Sequence, residues 1–273
     1  MAEDGVSKKI KKDKDGNVLS ERKLSPKTIV EHHRVISKLL ETAVKWNLVK
    51  ENVARRADPP RISPHDIDFL DEKEVQALMT ALQKEPITYR TMITILILTG
   101  MRRGELFGLE WKDIDFNNRC IRIERTSQYI GNKTIITKGP KTRSGHREIY
   151  ISQSLVRVLK KYRAWQAQRR LDVGSDWNDT DRLFTQWNGK PMYPDSLTKW
   201  FSKFLERNNL RKVTLHSLRH TNATIMIAEG TDIRTVSNRL GHAQTSTTLN
   251  IYTHALKSKD EQAAEVLDNV LAM

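Results

Sequence analysis

The residues that could do chemistry are concentrated in two motifs near the carboxyl-terminal end of the chain. His216, Arg219 and His220 lie in T-L-H-S-L-R-H-T, and His242 and Tyr252 lie in L-G-H-A-Q-T-S-T-T-L-N-I-Y-T-H. A phenol has a pKa of about 10, so it needs a proton acceptor and nearby positive charge before it attacks at neutral pH. The histidines and the arginine can provide both. The pattern therefore indicates attack of a tyrosine on a phosphodiester.

The charge of the chain favours a polyanionic partner. Its 273 residues include 47 Lys and Arg against 33 Asp and Glu, which gives a formal net charge of +14. Such an excess is typical of proteins that bind nucleic acid, which is the first expectation. On charge alone, a basic protein of another kind, such as one associated with ribosomes, is an equal alternative.

The single cysteine and the lack of long apolar runs indicate a cytoplasmic protein. Cys120 has no partner for an intrachain disulfide or a thiolate cluster, and its strand-like surroundings favour a buried thiol. The longest apolar run, residues 92–98, is far shorter than the roughly 18 residues of a membrane span. The charged start of the chain lacks the apolar segment of a signal peptide. No membrane partner is expected.

The chain is predicted to divide near residue 65. In residues 1–64, Ser25 and Pro26 are a good helix start, and apolar residues then recur at helical spacing. Candidate contacts to nucleic acid on this helix are Lys27, Arg34 and Lys38. Three prolines in residues 58–64 predict a linker. Because one amphipathic helix cannot form a core, part of this first domain is expected to lie outside the chain.

A buried helix in the second part of the chain ends at a charged motif. A first helix is expected after Asp71, and residues 89–99 predict a nearly all-apolar second one. This helix runs into T-G-M-R-R-G-E-L, where two glycines bracket Arg102 and Arg103. Charge at the edge of a core is typical of a site. Helix capping by Gly100, with both arginines in water, is the alternative.

A small antiparallel sheet is predicted next. Its strand-like segments are residues 119–125, 133–137 and 146–151. The last two are joined by a basic turn, K-G-P-K-T-R-S-G, which contains Lys138, Lys141 and Arg143. Further helices are predicted at residues 155–171, 195–208 and about 259–273. The apolar stripe of the last helix packs on its own domain or, alternatively, on a neighbouring protomer.

The motifs, in their order and spacing, resemble those of the tyrosine site-specific recombinases of the phage integrase family. The resemblance covers residues 65–273 and is strongest to integrases of conjugative transposons and temperate phages. It implies a mainly α fold with a small antiparallel β-sheet, the DNA breaking-rejoining fold of the catalytic domain. Residues 1–64 resemble the later part of the family's helical core-DNA-binding domain followed by a linker. The helix at about 259–273 resembles the segment that the family passes to a neighbouring protomer.

The resemblance implies the catalytic roles. Arg102 and Arg219 clamp the non-bridging oxygens of the scissile phosphate, for which a planar guanidinium suits better than a lysine. Tyr252 is the nucleophile that forms a 3′-phosphotyrosyl bond. Lys141 protonates the 5′-oxygen leaving group, with Lys138 in the same turn as its rival.

Other residues of the motifs have assisting roles under the same resemblance. His216 assists as an acid or base, His242 donates to the phosphate, Glu105 orients Arg102, and His220 supports the site. Two histidines four residues apart could suit a metal ion, but no carboxylate or cysteine completes a tetrad and the arginine clamp makes a divalent ion unnecessary. No metal or cofactor is therefore expected. Further DNA contacts are expected from Arg103, Lys138 and Arg143.

The implied function is integration and excision of a mobile element by site-specific recombination, through the phosphotyrosyl intermediate and a Holliday junction, without metal or ATP. The expected partners are double-stranded DNA at attachment sites or element ends, a homotetramer joined through the C-terminal helix, and a directionality factor. The expected location is the cytoplasm of a bacterial or phage-infected cell. The alternatives are a DNA-binding relative that never cleaves and a strand-passage enzyme similar to type IB topoisomerases.

Overall fold

The structure is a computed structural model that describes residues 11–12, 18–20, 24–62, 68–130, 134–139 and 145–241. The chain divides into two compact units, Met1–Asp66 and Ile67–Met273. In the described ranges, no helix combines the length and the apolar character that crossing a membrane requires.

The first unit contains a two-stranded antiparallel sheet and one long helix: β1 (Lys11–Lys12), β2 (Val18–Ser20) and α1 (Pro26–Lys45). The Ser25 hydroxyl accepts a hydrogen bond from the Thr28 backbone N–H at 3.2 Å, and Pro26 occupies the first turn, where its missing N–H is not needed. These two residues explain why α1 begins here. Asn52 then donates from Nδ2 to the Ser37 carbonyl at 2.9 Å and fastens the following chain to α1.

The second unit is organised around a buried helix. Its helices are α2 (Glu72–Leu82), α3 (Ile87–Thr99), α4 (Arg103–Gly108), α5 (Gln153–Val173), α6 (Pro194–Arg207), α7 (Leu215–Ala228) and α8 (Ile233–Leu240). Helix α3 packs against α5 and α7, and nearly every side chain after its first turn is buried. Because α3 has apolar side chains on nearly all of its faces after the first turn, a central position in the core satisfies it best.

The strands of the second unit form two small antiparallel sheets. One has the order β3 (Ile114–Asp115), β4 (Cys120–Ile123) and β7 (Arg147–Tyr150), and the other pairs β5 (Thr126–Ile130) with β6 (Thr134–Lys138). In the first sheet Ile121 lies opposite Ile149, and both are fully buried. One face of that sheet therefore closes the core against the helices.

The strand pairing corrects the prediction. The segment predicted at residues 133–137 is present as β6, but it pairs with β5 and not with β7. Strand β5 escapes prediction because its sequence, T-S-Q-Y-I, lacks alternating apolar residues. Its buried side chain is Ser127, whose hydroxyl lies 2.9 Å from the hydroxyl of Thr137 on β6. The basic turn between β6 and β7 therefore connects two sheets and is not the tip of a hairpin.

Arg182 fastens the second sheet to the core. Its side chain is 11% exposed, and Nη1 donates to the carbonyls of Phe107 at 3.2 Å and Gly108 at 3.0 Å. The same guanidinium donates to Ser127 Oγ at 3.3 Å and to Thr137 Oγ1 at 2.9 Å. One largely buried cation thus holds the end of α4 and both strands of this sheet together.

Candidate active site

Two motifs that lie far apart in the sequence meet at one cleft of about 350 Å³ in the second unit. The turn between α3 and α4 borders it on one side, and the start of α7 borders it on another. Its polar lining includes Arg102, Arg103, Thr198, Thr214, His216 and Arg219. The structure therefore brings together three of the predicted catalytic residues, the two arginines and one histidine.

Arg219 is buried and fixed in place. It is 2% exposed, and its Nη1 donates to the Gly100 carbonyl at 2.8 Å. Gly100 ends α3 with φ at 63°, a left-handed conformation that glycine adopts readily. A Cβ here would lie 2.5 Å from Leu240 Cδ2 and 2.7 Å from Asn222 Oδ1. The glycine therefore allows α3, α7 and α8 to approach closely enough for Arg219 to reach the end of α3.

Arg102 is more accessible. It is the N-terminal cap residue of α4, and its side chain is 43% exposed. Nη1 donates to Glu105 Oε1 at 2.9 Å, and Nη2 donates to the Gly241 carbonyl at 3.2 Å. Because a guanidinium has five N–H donors, these contacts to described residues orient Arg102 without exhausting its capacity to bind an anion.

Glu105 holds a second arginine as well. Arg147 donates from Nη1 to Oε1 at 3.1 Å and from Nη2 to Oε2 at 2.8 Å, and both side chains are less than a tenth exposed. Burial opposes the charge of the carboxylate. Hydrogen bonding and charge attraction from Arg147, with further contributions from Arg102, nevertheless hold the pKa of Glu105 below its ordinary value. The ionised carboxylate therefore anchors two arginines at neutral pH.

The two histidines of α7 lie edge to face, with ring centroids 4.7 Å apart. Partial desolvation, together with the positive charges of Arg219 and Arg102, lowers the pKa of His216. Burial, followed by His216 and Arg219, lowers the pKa of His220 to about 4. Both imidazoles are therefore neutral at pH 7, and the exposed ring of His216 can accept a proton in the cleft.

The predicted DNA contacts that the structure describes lie at the surface. Arg103 borders the cleft, but its Nη1 donates to Asp195 Oδ1 at 2.9 Å and to Thr198 Oγ1 at 2.7 Å, both on α6. Lys138 is exposed at the end of β6. In the first unit, the predicted contacts Lys27, Arg34 and Lys38 are exposed on α1. Their contact with DNA stays a prediction.

Four predicted site residues lie outside the described residues: Lys141, Arg143, His242 and Tyr252. The predicted helix at residues 259–273 lies outside them too. The described chain nevertheless reaches the cleft directly before His242, because the Gly241 carbonyl accepts a hydrogen bond from Arg102.

Two arginines belong to this network although they are not among the predicted site residues. Arg147 donates from Nε to the Arg239 carbonyl at 2.7 Å, and Arg239 donates to the carbonyls of Tyr150 at 2.9 Å and Leu98 at 3.0 Å. A signal for Arg147 was present, because the alternation of β7 places it on the same side as the buried Ile149. An arginine at an inward-facing strand position needs a buried partner.

In structure, the chain is similar to the Tn1549 transposon integrase in complex with a circular intermediate DNA. The TM-score is 0.73 at 22% identity, with 88% of this chain and 80% of that chain covered. The fold is therefore that of the tyrosine recombinase catalytic domain. The mainly α fold with small antiparallel sheets that the motifs predict is thereby confirmed.

Sequence comparison gives the family. The phage integrase family matches residues 68–259, more than half of the chain. The chain is 26% identical over 253 residues to the ICEBs1 integrase of Bacillus subtilis, covering 93% of this chain and 68% of that protein. It is 32% identical over 216 residues to a XerC-like tyrosine recombinase of Caldanaerobacter subterraneus, covering 75% of this chain and 55% of that protein. The chain belongs to the phage integrase family, and the class predicted from its motifs, a tyrosine recombinase of integrase type, is confirmed.

Proposed function

We propose that this chain cleaves and rejoins double-stranded DNA as a site-specific integrase. The main support is the cleft where the accessible Arg102 and the buried Arg219 meet beside a neutral His216. Two oriented guanidinium groups suit the two non-bridging oxygens of a phosphodiester, and they remain charged while negative charge builds up in the pentavalent transition state.

The proposed reaction exchanges one phosphodiester for another. The phenol oxygen of Tyr252 forms a bond to the scissile phosphorus, and the bond from phosphorus to the 5′-oxygen breaks. His216 accepts the phenol proton, and Lys141, or Lys138 as its rival, donates a proton to the departing 5′-oxygen. Because the phosphotyrosyl bond keeps the energy of the broken bond, the 5′-hydroxyl of another strand can reverse the step without ATP.

The other predicted residues assist this reaction. His242 donates a hydrogen bond to the phosphate, and Glu105 holds Arg102 in its orientation. The neutral His220 supports the ring of His216. No metal or cofactor takes part in this scheme.

The two parts of the chain have different proposed roles. Residues 65–273 form the catalytic domain, and residues 1–64 form part of a core-DNA-binding domain with its linker. The exposed Lys27, Arg34 and Lys38 contact the DNA backbone from α1, and Arg103 and Arg143 do so near the cleft. Such contacts add affinity that depends on salt and carries little base specificity.

The proposed assembly acts on two DNA duplexes. The similar Tn1549 integrase has been solved with a circular intermediate DNA, so attachment sites or element ends of a mobile element are the proposed substrate here. A homotetramer, joined through the helix at about 259–273, would exchange strands through a Holliday junction to integrate or excise the element. A directionality factor would select between the two reactions. The proposed location is the cytoplasm of a bacterial or phage-infected cell.

The test is formation of a covalent protein–DNA adduct on a nicked duplex. This duplex carries the DNA sequence that flanks the gene encoding this chain. Arg102→Met and Arg219→Lys should slow adduct formation about 100- to 1,000-fold at saturating DNA, as expected when a donor to a transition-state oxyanion is removed. The matched control is Arg122→Met on β4, whose side chain is 44% exposed and pairs with Asp115 and Glu148 at the surface. Equal adduct rates in all three variants would contradict the proposed clamp.

A further inference from the structure

We propose that Arg147 is a positioning residue for the DNA cleavage step, which it supports by holding Glu105 and the end of α8 in the arrangement that presents Arg102 to the phosphate. This inference rests on the proposed function. Arg147 belongs to β7, directly after the basic turn, and none of the predicted catalytic roles includes it.

The first observation is the geometry of the shared carboxylate. Each oxygen of Glu105 accepts from both arginines: Oε1 from Nη1 of Arg102 and of Arg147, and Oε2 from the Arg102 backbone N–H at 2.8 Å and from Nη2 of Arg147. Arg147 makes a two-point contact, which fixes the plane of the carboxylate. Arg102 is thus oriented by a group that is itself oriented by Arg147.

The second observation concerns charge. Arg102, Glu105 and Arg147 together carry one net positive charge, and two of the three side chains are buried. If Arg147 were neutral, the carboxylate would pair with Arg102 alone, and this group would carry no net charge. The positive charge available to the scissile phosphate therefore depends on a residue behind Arg102.

The third observation links the same group to the end of α8. Arg147 donates from Nε to the Arg239 carbonyl at 2.7 Å, and Arg102 donates from Nη2 to the Gly241 carbonyl at 3.2 Å. The two arginines bound to Glu105 thus hold both sides of the turn that directly precedes His242 in the sequence. Displacement of this turn would disturb the predicted phosphate contacts of Arg102 and His242 together.

Arg147 itself is not among the residues that line the cleft. Its side chain is 7% exposed, and all of its donors named above point to protein oxygens. Its effect must therefore pass through Glu105 and the turn, and it should change the rate of cleavage more than the affinity for DNA.

The test measures the adduct rate at saturating DNA, the dissociation constant for DNA and the melting temperature for wild type, Arg147→Met, Glu105→Gln and the double variant. Arg147→Met should form adduct about 10- to 100-fold more slowly, with the dissociation constant changed less than about twofold. The double variant should be no slower than the slower of the two single variants, because both substitutions act on Arg102 through the same carboxylate. Arg122→Met is the matched control.

The conservative variant Arg147→Lys keeps the charge but loses the two-point contact. Arg147→Lys should recover part of the rate. If Arg147→Met does not fold, the same comparison of single and double variants is made with Arg147→Lys and Arg147→Lys/Glu105→Gln. Rates that multiply in the double variant, a defect that disappears at saturating DNA, or an Arg147→Met rate equal to that of Arg122→Met would each overturn the inference. A wild-type protein that forms no adduct would instead overturn the proposed function.

Discussion

Replacement of Gly100 by alanine tests the close packing that fixes Arg219. The new Cβ would meet Leu240 at 2.5 Å and Asn222 at 2.7 Å, and the residue would keep a left-handed φ of 63°. The left-handed conformation costs an L-residue about 1–2 kcal/mol, and overpacking of a core contact costs about 1–3 kcal/mol. Gly100→Ala should therefore lower the free energy of unfolding by about 2–5 kcal/mol, measured by urea denaturation.

A second glycine is the control for the alanine substitution itself. Gly139 has no positive φ, and no described residue lies within 4 Å of its added Cβ, so Gly139→Ala should change stability by less than about 0.5 kcal/mol. A loss of no more than about 2 kcal/mol in Gly100→Ala, the conformational cost alone, would contradict the close packing of α3 against α7 and α8.

Three further predictions concern polar groups that are buried or partly buried. Glu105→Gln should lower the free energy of unfolding at pH 7 by about 3 kcal/mol, because it leaves a buried arginine uncompensated. Since the folded-state pKa of Glu105 is lowered, the difference in unfolding free energy between wild type and variant should shrink as the pH falls through that pKa. Urea denaturation at several pH values measures both effects. His220 has a folded-state pKa of about 4, so the unfolded state binds more protons between about pH 4 and its ordinary value of 6.5, and wild-type stability should fall as the pH drops through this window. His220→Gln should flatten that slope, and an unchanged slope would contradict the assignment. Arg182→Met should destabilise the second sheet by about 2–4 kcal/mol, because Ser127 and Thr137 lose a charged donor. Amide hydrogen exchange in β5 and β6 should become faster. Hydrogen exchange at the wild-type rate would show that another contact holds the sheet.

Local signals in the sequence account for α2 and α3. The Asp71 side chain accepts a hydrogen bond from the Glu74 backbone N–H at 2.8 Å and starts α2, where a cap was expected. The nearly all-apolar sequence of residues 89–99 predicts the central burial of α3. Both signals act within a few residues, so no knowledge of the tertiary structure is needed.

The pairing of strands that lie far apart in the sequence cannot be predicted from such local signals. Strand β5 has polar residues where a strand with one buried face would have apolar ones, and its buried Ser127 is satisfied only by Thr137 and by Arg182. Those partners are known only once the chain has folded. The predicted three-stranded sheet is therefore replaced by two smaller sheets.

In the candidate site, too, the sequence identifies individual residues but not the contacts between distant ones. The family's motifs identify Arg102, Arg219 and Glu105, but the residues alone do not reveal that the first two border one cleft. Arg147 has a local signal in its inward-facing position on β7, but that signal does not reveal its partner Glu105, which lies 42 residues earlier in the sequence. Its importance comes from a buried ion pair between two elements, which no short motif contains.

The most direct test of the proposed reaction is to identify the residue that carries DNA. Wild type, Tyr252→Phe and Tyr150→Phe, the last a control at a tyrosine that is 66% exposed on β7, would be incubated with the nicked duplex in EDTA and separated on a denaturing gel. The predicted result is an adduct with wild type and Tyr150→Phe only, and mass spectrometry that locates the DNA on the peptide containing Tyr252. An adduct that persists in Tyr252→Phe, or one that requires a divalent metal, would contradict the account.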